Sequence, residues 1–338
     1  MKSFFRLFLI LIFLMISGFA GFYFWASSSN LNVHQYAGVT NYGSNRALSK
    51  GDTMSVITFN IGYLSGMTNN QPVIPDHNFF TGNLNRVIKL FNDYKPTFLG
   101  LQEIDFSARR SFYHNQMDSI AKRTQYLYAA HVVNWDKRYV PFPYWPFRVH
   151  FGKIVSGQAV LSKFPVLTNR RVVLPKPQNN PFYYNTFYLD RLIQIVEVDL
   201  DNQILIIINV HLEAYDKITR EKQSEILHDV TEKYLTDFPL LLIGDFNSRP
   251  PFEEAKNNEE NTIKNILSLP GIQMATTELD YRISPEEYFT FTSRNPYEKI
   301  DYIFYNSKIL PVESFVIRSS GEISDHLPVY FKFIIKND

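Results

Sequence analysis

Hydrophobic residues along this chain are concentrated in short apolar runs, which are separated by polar turns and by a few amphipathic segments. The runs MSVITF (54–59), ILIIINV (204–210) and LLLI (240–243) are dominated by aliphatic and β-branched residues. Short runs of this composition, bounded by turn residues, are typical of buried strands. Residues 84–94 and 219–234 instead place apolar side chains at helical spacing, which predicts amphipathic helices.

The order of these elements indicates a mixed α/β domain. Tight turns such as Asp201–Gln203 join successive strands as hairpins, which a purely parallel sheet would not contain. We therefore predict a four-layer α/β sandwich, in which two mixed β-sheets pack together and helices flank them. The other predicted strands are residues 97–101, 158–161, 166–174, 192–200, 300–305 and 329–335, and the other predicted helices are residues 117–128 and 263–269.

The N-terminus carries a long apolar segment. Residues 7–26 contain no charged side chain and are long enough to span a bilayer as a helix. Phe22–Trp25 resemble an interfacial aromatic belt, and the next basic residue after the segment is Arg46. The positive-inside rule then places the rest of the chain on the non-cytoplasmic side. We expect an uncleaved signal anchor at residues 1–26; a cleaved signal peptide, giving a secreted protein, is the alternative.

The remainder of the chain divides into a linker and one domain. Residues 27–50 are polar and lack periodicity, so we expect a linker there, followed by a single domain at residues 51–338. The 34 basic and 33 acidic residues nearly balance, which disfavours a partner held by many phosphates, such as a long nucleic acid. The chain has no cysteine, which excludes disulfides, zinc–thiolate sites and thiol nucleophiles.

Polar residues lie at the ends of the predicted apolar, strand-like runs. In LLLIGDFNSRP (240–250), Asp245 and Asn247 would leave the same face of an extended backbone, while Gly244 permits a close backbone contact. Any one such residue is ordinary at a strand end, but the whole set indicates a site at one edge of the sheets. Carboxylates and amides without cysteine suit Mg²⁺ or Mn²⁺, and histidines titrate near neutral pH. The other members of the set are Asn60, Glu103, His211, Asp301, Asp325 and His326.

Several segments resemble motifs of the endonuclease/exonuclease/phosphatase superfamily and occur in the same order. This superfamily includes deoxyribonuclease I, apurinic endonucleases, neutral sphingomyelinases and inositol polyphosphate 5-phosphatases. The resemblance covers residues 54–335, and the combination of GDFN with a downstream SDH is its most specific part. The segments are TFNIGY (58–63), LGLQE (99–103), SGQAVLSKFPV (156–166), NVHLE (209–213), IGDFNSRP (243–250), KIDYIFY (299–305) and SDHLPV (324–329).

The resemblance implies a role for each residue at the strand ends. Glu103 resembles the main Mg²⁺-ligating glutamate, and Asn60 and Asp325 resemble residues beside the metal. His211 resembles the histidine that faces the scissile phosphate. Asp245 and Asn247 resemble the pair that orients the attacking water and the phosphate oxygens. Asp301 and His326 resemble an aspartate–histidine dyad, in which we hypothesise that His326 takes a proton from water while Asp245 shares or relays that role.

The expected activity is Mg²⁺-dependent hydrolysis of a phosphodiester. Residues 139–151 form a segment rich in aromatic residues and proline, which either contacts lipid or an apolar substrate or covers the core as a surface loop. With an anchor at the bilayer, a phospholipid such as sphingomyelin is a candidate substrate. Glu298–Asp301 lacks the Trp-Cys/Thr-Asp-Arg signature of inositol 5-phosphatases. The alternatives are a membrane-anchored or secreted nuclease and a non-catalytic, membrane-tethered binding module.

Overall fold

The computed structural model describes residues 1–43, 53–201, 203–253 and 260–336. Its α-helices are α1 Lys2–Ser27, α2 His77–Tyr94, α3 Gln116–Thr124, α4 Phe182–Phe187, α5 Lys217–Leu235, α6 Thr262–Leu267 and α7 Glu278–Ile283. Its strands are β1 Ala37–Asn41, β2 Met54–Asn60, β3 Phe98–Asp105, β4 Tyr128–Val140, β5 Gly152–Ser162, β6 Val166–Val173, β7 Leu192–Asp199, β8 Ile204–His211, β9 Leu240–Asp245, β10 Gln273–Met274, β11 Asp301–Tyr305, β12 Ile309–Val316 and β13 Val329–Ile335.

The strands form two mixed sheets. The seven-stranded sheet has the order β1-β4-β5-β3-β2-β13-β12, and the six-stranded sheet has the order β10-β11-β9-β8-β7-β6. The pairs β2–β3 and β8–β9 are parallel, and the other strand pairs are antiparallel. Parallel neighbours end at the same edge of a sheet, so each sheet brings two strand ends together there.

Three apolar clusters separate four layers. The inner faces of the sheets pack together through residues such as Phe98, Ile207 and Phe331. A second cluster joins α2 and α3 to the outer face of the seven-stranded sheet, and a third joins α5 and α6 to the outer face of the six-stranded sheet. Each sheet thereby buries both faces, and the predicted four-layer α/β sandwich is confirmed.

Several elements differ from the sequence prediction. Ala37–Asn41, inside the expected linker, pairs antiparallel with β4, so that part of the segment belongs to the sheet. Residues 44–50 of the expected linker and Asn202 of the expected hairpin turn lie outside the described residues. The helix predicted at 117–128 ends at Thr124, because Gln125 adopts a left-handed conformation.

Besides β1, the strands β4, β10 and β12 had no counterpart in the sequence prediction. β4 extends through Val140, so the loop expected from residue 139 begins only at Pro141. β12 contains Pro311, which argues against a central strand. The structure accommodates this proline because β12 is an edge strand with a register shift between Pro311 and Glu313.

The apolar helix α1 is long and apolar enough to cross a membrane, by length and composition. Most of its side chains are exposed, but its C-terminal end packs against the domain. Ala26 is completely buried, and the Tyr23 hydroxyl lies 2.7 Å from the Thr186 hydroxyl. The rings of Phe22 and Trp25 both contact Tyr139 at the end of β4.

Candidate active site

Strand register places three candidate catalytic residues in one row across the six-stranded sheet. His211 at the end of β8 is opposite Asp245 of β9, and Asp245 is opposite Asp301 of β11. Gly244 permits the close approach of β8 and β9, since a Cβ at this position would lie 2.0 Å from the Val210 carbonyl oxygen. The row is therefore fixed by backbone pairing rather than by loops.

Asp245 lies at the centre of this cluster. Its Oδ2 accepts a 2.9 Å hydrogen bond from Asn60 Nδ2 and lies 3.4 Å from His211 Nε2 and 3.7 Å from His326 Nε2. Its Oδ1 accepts a bond from the Asn247 amide. Burial raises the pKa of Asp245 to about 7, and the charge of Asp301 adds to this shift, while His326 and the hydrogen bond from Asn60 oppose it.

The expected aspartate–histidine pair is present in the structure. His326 Nδ1 lies 2.9 Å from Asp301 Oδ2, and both residues are buried. Burial alone would lower the pKa of His326, but the charges of Asp301 and Asp245 outweigh it and raise that pKa well above its ordinary value. These two carboxylates therefore favour the protonated imidazole.

His211 has the opposite electrostatic environment. Burial lowers the pKa of His211 well below its usual value, and the charges of Arg191 and His326 lower it further. Arg191 forms a short hydrogen bond with His211 Nε2, and its Nε lies 3.6 Å from Glu213 Oε2. Tyr188 donates a 2.9 Å hydrogen bond to the same glutamate. His211 is thus a neutral imidazole beside a buried, paired guanidinium.

The facing wall of the site carries a second group of carboxylates. Asn69 Nδ2 donates to Glu103 Oε2 at 2.9 Å and lies 3.4 Å from both carboxylate oxygens of Asp325. Burial raises the pKa of Glu103, and the charge of Asp325 raises it further. Glu103 has a φ of 51° at the point where the register between β3 and β5 shifts. This conformation interrupts the regular alternation of side chains along β3.

The structure brings most of the predicted residues into one cleft, and two asparagines of the set are held by hydrogen bonds. Asn60 directs its amide nitrogen to Asp245, while its oxygen accepts a bond from the Gly62 amide. Asn247 lies beyond β9 with a φ of 50°, so the expectation of an extended backbone through this residue is wrong. Its amide nitrogen donates instead to the Leu212 carbonyl at 3.0 Å.

The donor set fits a hard divalent cation. The carboxylates of Glu103 and Asp325 converge on one amide and repel each other, an arrangement that a bound cation would stabilise. Ligating atoms of Asp245, Asp301 and His326 also lie within 4.8 Å of one another. His326 Nδ1 is already bonded to Asp301, which makes this second group better suited to proton transfer than to metal binding.

The sequence prediction did not include several residues of the site. Asn69 lies in a loop without strand or helix periodicity, and its only signal is an Asn-Asn pair in that loop. Arg191 precedes β7, so it belongs to the start of a strand rather than an end. Glu213 falls inside the NVHLE motif but received no role. Tyr188 follows α4 and lies outside the predicted strands.

Two packed mixed sheets with a buried cluster of carboxylates and histidines define a class of phosphoester hydrolases. The chain belongs to the Endonuclease/Exonuclease/phosphatase family, whose model matches residues 57–326. The family as a whole implies a phosphoester substrate and a divalent metal, which agrees with the chemistry of the donor set.

Comparison with known proteins supports the fold and shows distant sequence similarity. A UPF0294 protein of Vibrio cholerae is 29% identical over 140 residues, which cover 40% of this chain and 42% of that protein. An endonuclease/exonuclease/phosphatase structure from Beutenbergia cavernae has a TM-score of 0.62 at 19% identity, covering 85% of this chain and 72% of that one. The human Nocturnin catalytic domain with bound sulfate has a TM-score of 0.58 at 18% identity, covering 89% and 98%.

Proposed function

We propose that this protein is a membrane-anchored, Mg²⁺-dependent phosphodiesterase that hydrolyses its substrate by direct attack of water. The observation that carries the proposal is the row of His211, Asp245 and Asp301, which faces the Glu103–Asp325 carboxylates across one cleft. Glu103 and Asp325 would hold the metal, with Asn60 beside it. A bound divalent ion would neutralise a phosphate oxygen and the charge on the leaving group.

The proton chemistry is assigned to Asp245 and to the His326–Asp301 pair. Asp245, with a pKa raised to about 7, is suited to accept the proton of the attacking water near neutral pH. The raised pKa of His326 favours an imidazolium, which donates from Nδ1 to Asp301 and is thereby oriented so that its Nε2–H can donate to a phosphate oxygen. This division of roles favours Asp245 over His326 as the proton acceptor.

Three further side chains would bind the phosphate. His211 is neutral and buried, and Arg191 beside it supplies a positive charge in the same cleft. A guanidinium can donate two parallel hydrogen bonds to a phosphate, which an ammonium group cannot do. Asn247 is held by its bond to the Leu212 carbonyl, and its side chain also lines the cleft.

The anchor and its sidedness belong to the same proposal. We assign residues 1–26 to an uncleaved signal anchor and residues 51–338, together with the edge strand β1, to a catalytic domain on the non-cytoplasmic side. The packing of α1 supports retention of the helix, because cleavage would expose the buried Ala26 and remove the ring contacts with Tyr139. A phospholipid such as sphingomyelin is the substrate class that such an anchor favours.

The direct test is hydrolysis of bis-p-nitrophenyl phosphate by the full-length protein in detergent with Mg²⁺. We expect release of p-nitrophenol that EDTA abolishes and that Glu103→Ala reduces to background. Plasmid DNA and sphingomyelin are assayed in parallel, so that a nuclease is recognised by cleavage of DNA in preference to lipid. Failure to hydrolyse any diester would favour the non-catalytic binding module.

A further inference from the structure

A large cavity extends from the catalytic cleft to the C-terminal end of α1. Its volume is about 1550 Å³, whereas small-molecule sites generally measure about 300–1,000 Å³. One part of its lining is polar and includes the carboxylates and histidines Glu103, Asp245, Asp325, His211 and His326. The rest is dominated by rings from three segments: Phe19 and Phe22–Phe24 of α1, Tyr139–Phe151, and Phe182–Tyr188.

Several aromatic side chains in the apolar part of the lining are largely exposed to solvent. Burying them would require an apolar binding partner. Phe19 is 73% exposed, Phe147 is 66% exposed and Phe182 is 76% exposed, although all three line the same cavity. Contiguous exposed rings on a soluble surface mark a binding site for an apolar partner. Here the rings continue directly onto a helix long enough to span a bilayer, so the hydrocarbon beside that helix can reach them.

A continuous path of contacts connects the helix to the catalytic histidine. Tyr23 of α1 contacts Phe187 edge-on, with the ring centroids 5.7 Å apart. The next residue, Tyr188, donates to Glu213 and lies 3.3 Å from Arg191, which in turn contacts His211. The rings and the phosphate-binding groups therefore belong to one connected wall.

We propose that this cavity binds the hydrocarbon chains of a membrane phospholipid while its phosphate lies at the catalytic cluster. The occupant enters sideways from the leaflet that contains the C-terminal end of α1, and the helix itself forms part of the binding site. The proposal rests on the proposed phosphodiesterase activity and deepens it, because it makes the apolar chain a determinant of substrate choice.

The first test compares two diesters that share a leaving group and differ only in chain length. Methyl p-nitrophenyl phosphate and decyl p-nitrophenyl phosphate are hydrolysed by full-length protein in bilayer nanodiscs, and the same P–O bond to the aryl group is broken in both. We expect the decyl ester to have a kcat/KM that is higher by roughly tenfold or more, since burial of each methylene favours binding.

Matched variants on one helix show whether the cavity causes this preference. Phe19→Ala removes a ring that lines the cavity, whereas Phe13→Ala removes a ring of similar exposure, 68%, from a part of α1 that does not line it. We expect the decyl-to-methyl ratio to fall at least about fivefold in Phe19→Ala and in Phe182→Ala. It should remain at the wild-type value in Phe13→Ala. Equal ratios in all four proteins would overturn the proposal.

A second measurement detects the chain without any hydrolysis. Trp135 is buried in β4 and lines the cavity, so an acyl chain that occupies the cavity lies within reach of its ring. In a Trp25→Phe, Trp145→Phe double variant, phosphatidylcholine with brominated acyl chains should quench its fluorescence in nanodiscs. Quenching without hydrolysis of any diester would support the lipid site and contradict the proposed activity. Hydrolysis without quenching and without a chain-length preference would contradict the lipid site and support the phosphodiesterase activity alone.

Discussion

The two walls of the cleft are built in different ways. On the six-stranded sheet, His211, Asp245 and Asp301 lie on paired strands, so hydrogen bonding of the backbone sets their spacing. On the facing wall, Glu103 lies at a register shift, and Asn69 and Asp325 lie on loops. Proton transfer requires fixed distances between donors and acceptors. Carboxylates that converge on a cation tolerate more adjustment, so loops can supply them.

If this comparison is correct, loss of His326 should have the largest effect on turnover. We expect His326→Ala to reduce kcat for bis-p-nitrophenyl phosphate by about 10³-fold, because a positioned acid or base contributes on this scale. Added Mg²⁺ should not restore the activity, since His326, although it follows Asp325 on the loop before β13, is bonded to Asp301 of the six-stranded sheet. Circular dichroism checks that the variant is folded, and near-wild-type turnover in a folded variant would remove His326 from the mechanism.

The same comparison explains which parts of the site were predictable from sequence. Strands are visible as apolar runs bounded by polar residues, so His211 and Asp245, which end β8 and β9, and Asp301, which begins β11, could be identified. The fold class followed from the same runs and the hairpins between them. Loop residues carry no such periodicity, and therefore Asn69 was not found. Arg191 was missed because it lies at a strand start that only the antiparallel register of β7 and β8 brings beside His211.

Asp245→Asn separates proton transfer from metal binding within the six-stranded sheet. We expect kcat to fall by about 10²-fold, since the amide cannot accept the proton of water. The Mg²⁺ dissociation constant, measured by isothermal titration calorimetry, should change much less, because Asp245 is bonded mainly to Asn60 and the Asn247 amide. A loss confined to Mg²⁺ affinity would make Asp245 a metal ligand. The proposed division of roles between the two walls would then be wrong.

Glu103→Gln should give the converse pattern on the facing wall. The side chain keeps its size but loses its charge, so we expect the Mg²⁺ dissociation constant to rise by about 10-fold to 100-fold. Activity at low Mg²⁺ should fall accordingly and recover substantially as Mg²⁺ is raised. Asp93→Asn, which removes an exposed carboxylate paired with Lys89 on α2, is the matched control and should retain wild-type affinity. A Glu103→Gln variant that excess Mg²⁺ cannot restore would assign Glu103 to the chemistry as well.

The smallest expected effect is on stability rather than on activity, and it tests the electrostatics of the buried row directly. Burial raises the pKa of Asp245 from 3.8 to about 7 in the folded protein. Between these two pKa values the carboxyl group is ionised in the unfolded chain but still protonated in the folded protein. In EDTA, Asp245 therefore lowers the free energy of unfolding progressively as the pH rises from about 4 to about 7. The side chain of the Asp245→Asn variant stays neutral throughout this range. The other titratable groups are common to both proteins, so their contributions largely cancel when the two melting temperatures are compared.

We therefore expect the melting temperature of Asp245→Asn, measured in EDTA, to rise relative to wild type by roughly 5 °C between pH 4 and pH 7. The difference should level off above pH 7, where Asp245 is ionised in both states. Mg²⁺ should reduce this gain, because a cation bound on the facing wall favours the ionised carboxylate. A difference in melting temperature that is independent of pH would mean that Asp245 titrates normally, and it would remove the argument for Asp245 as the proton acceptor.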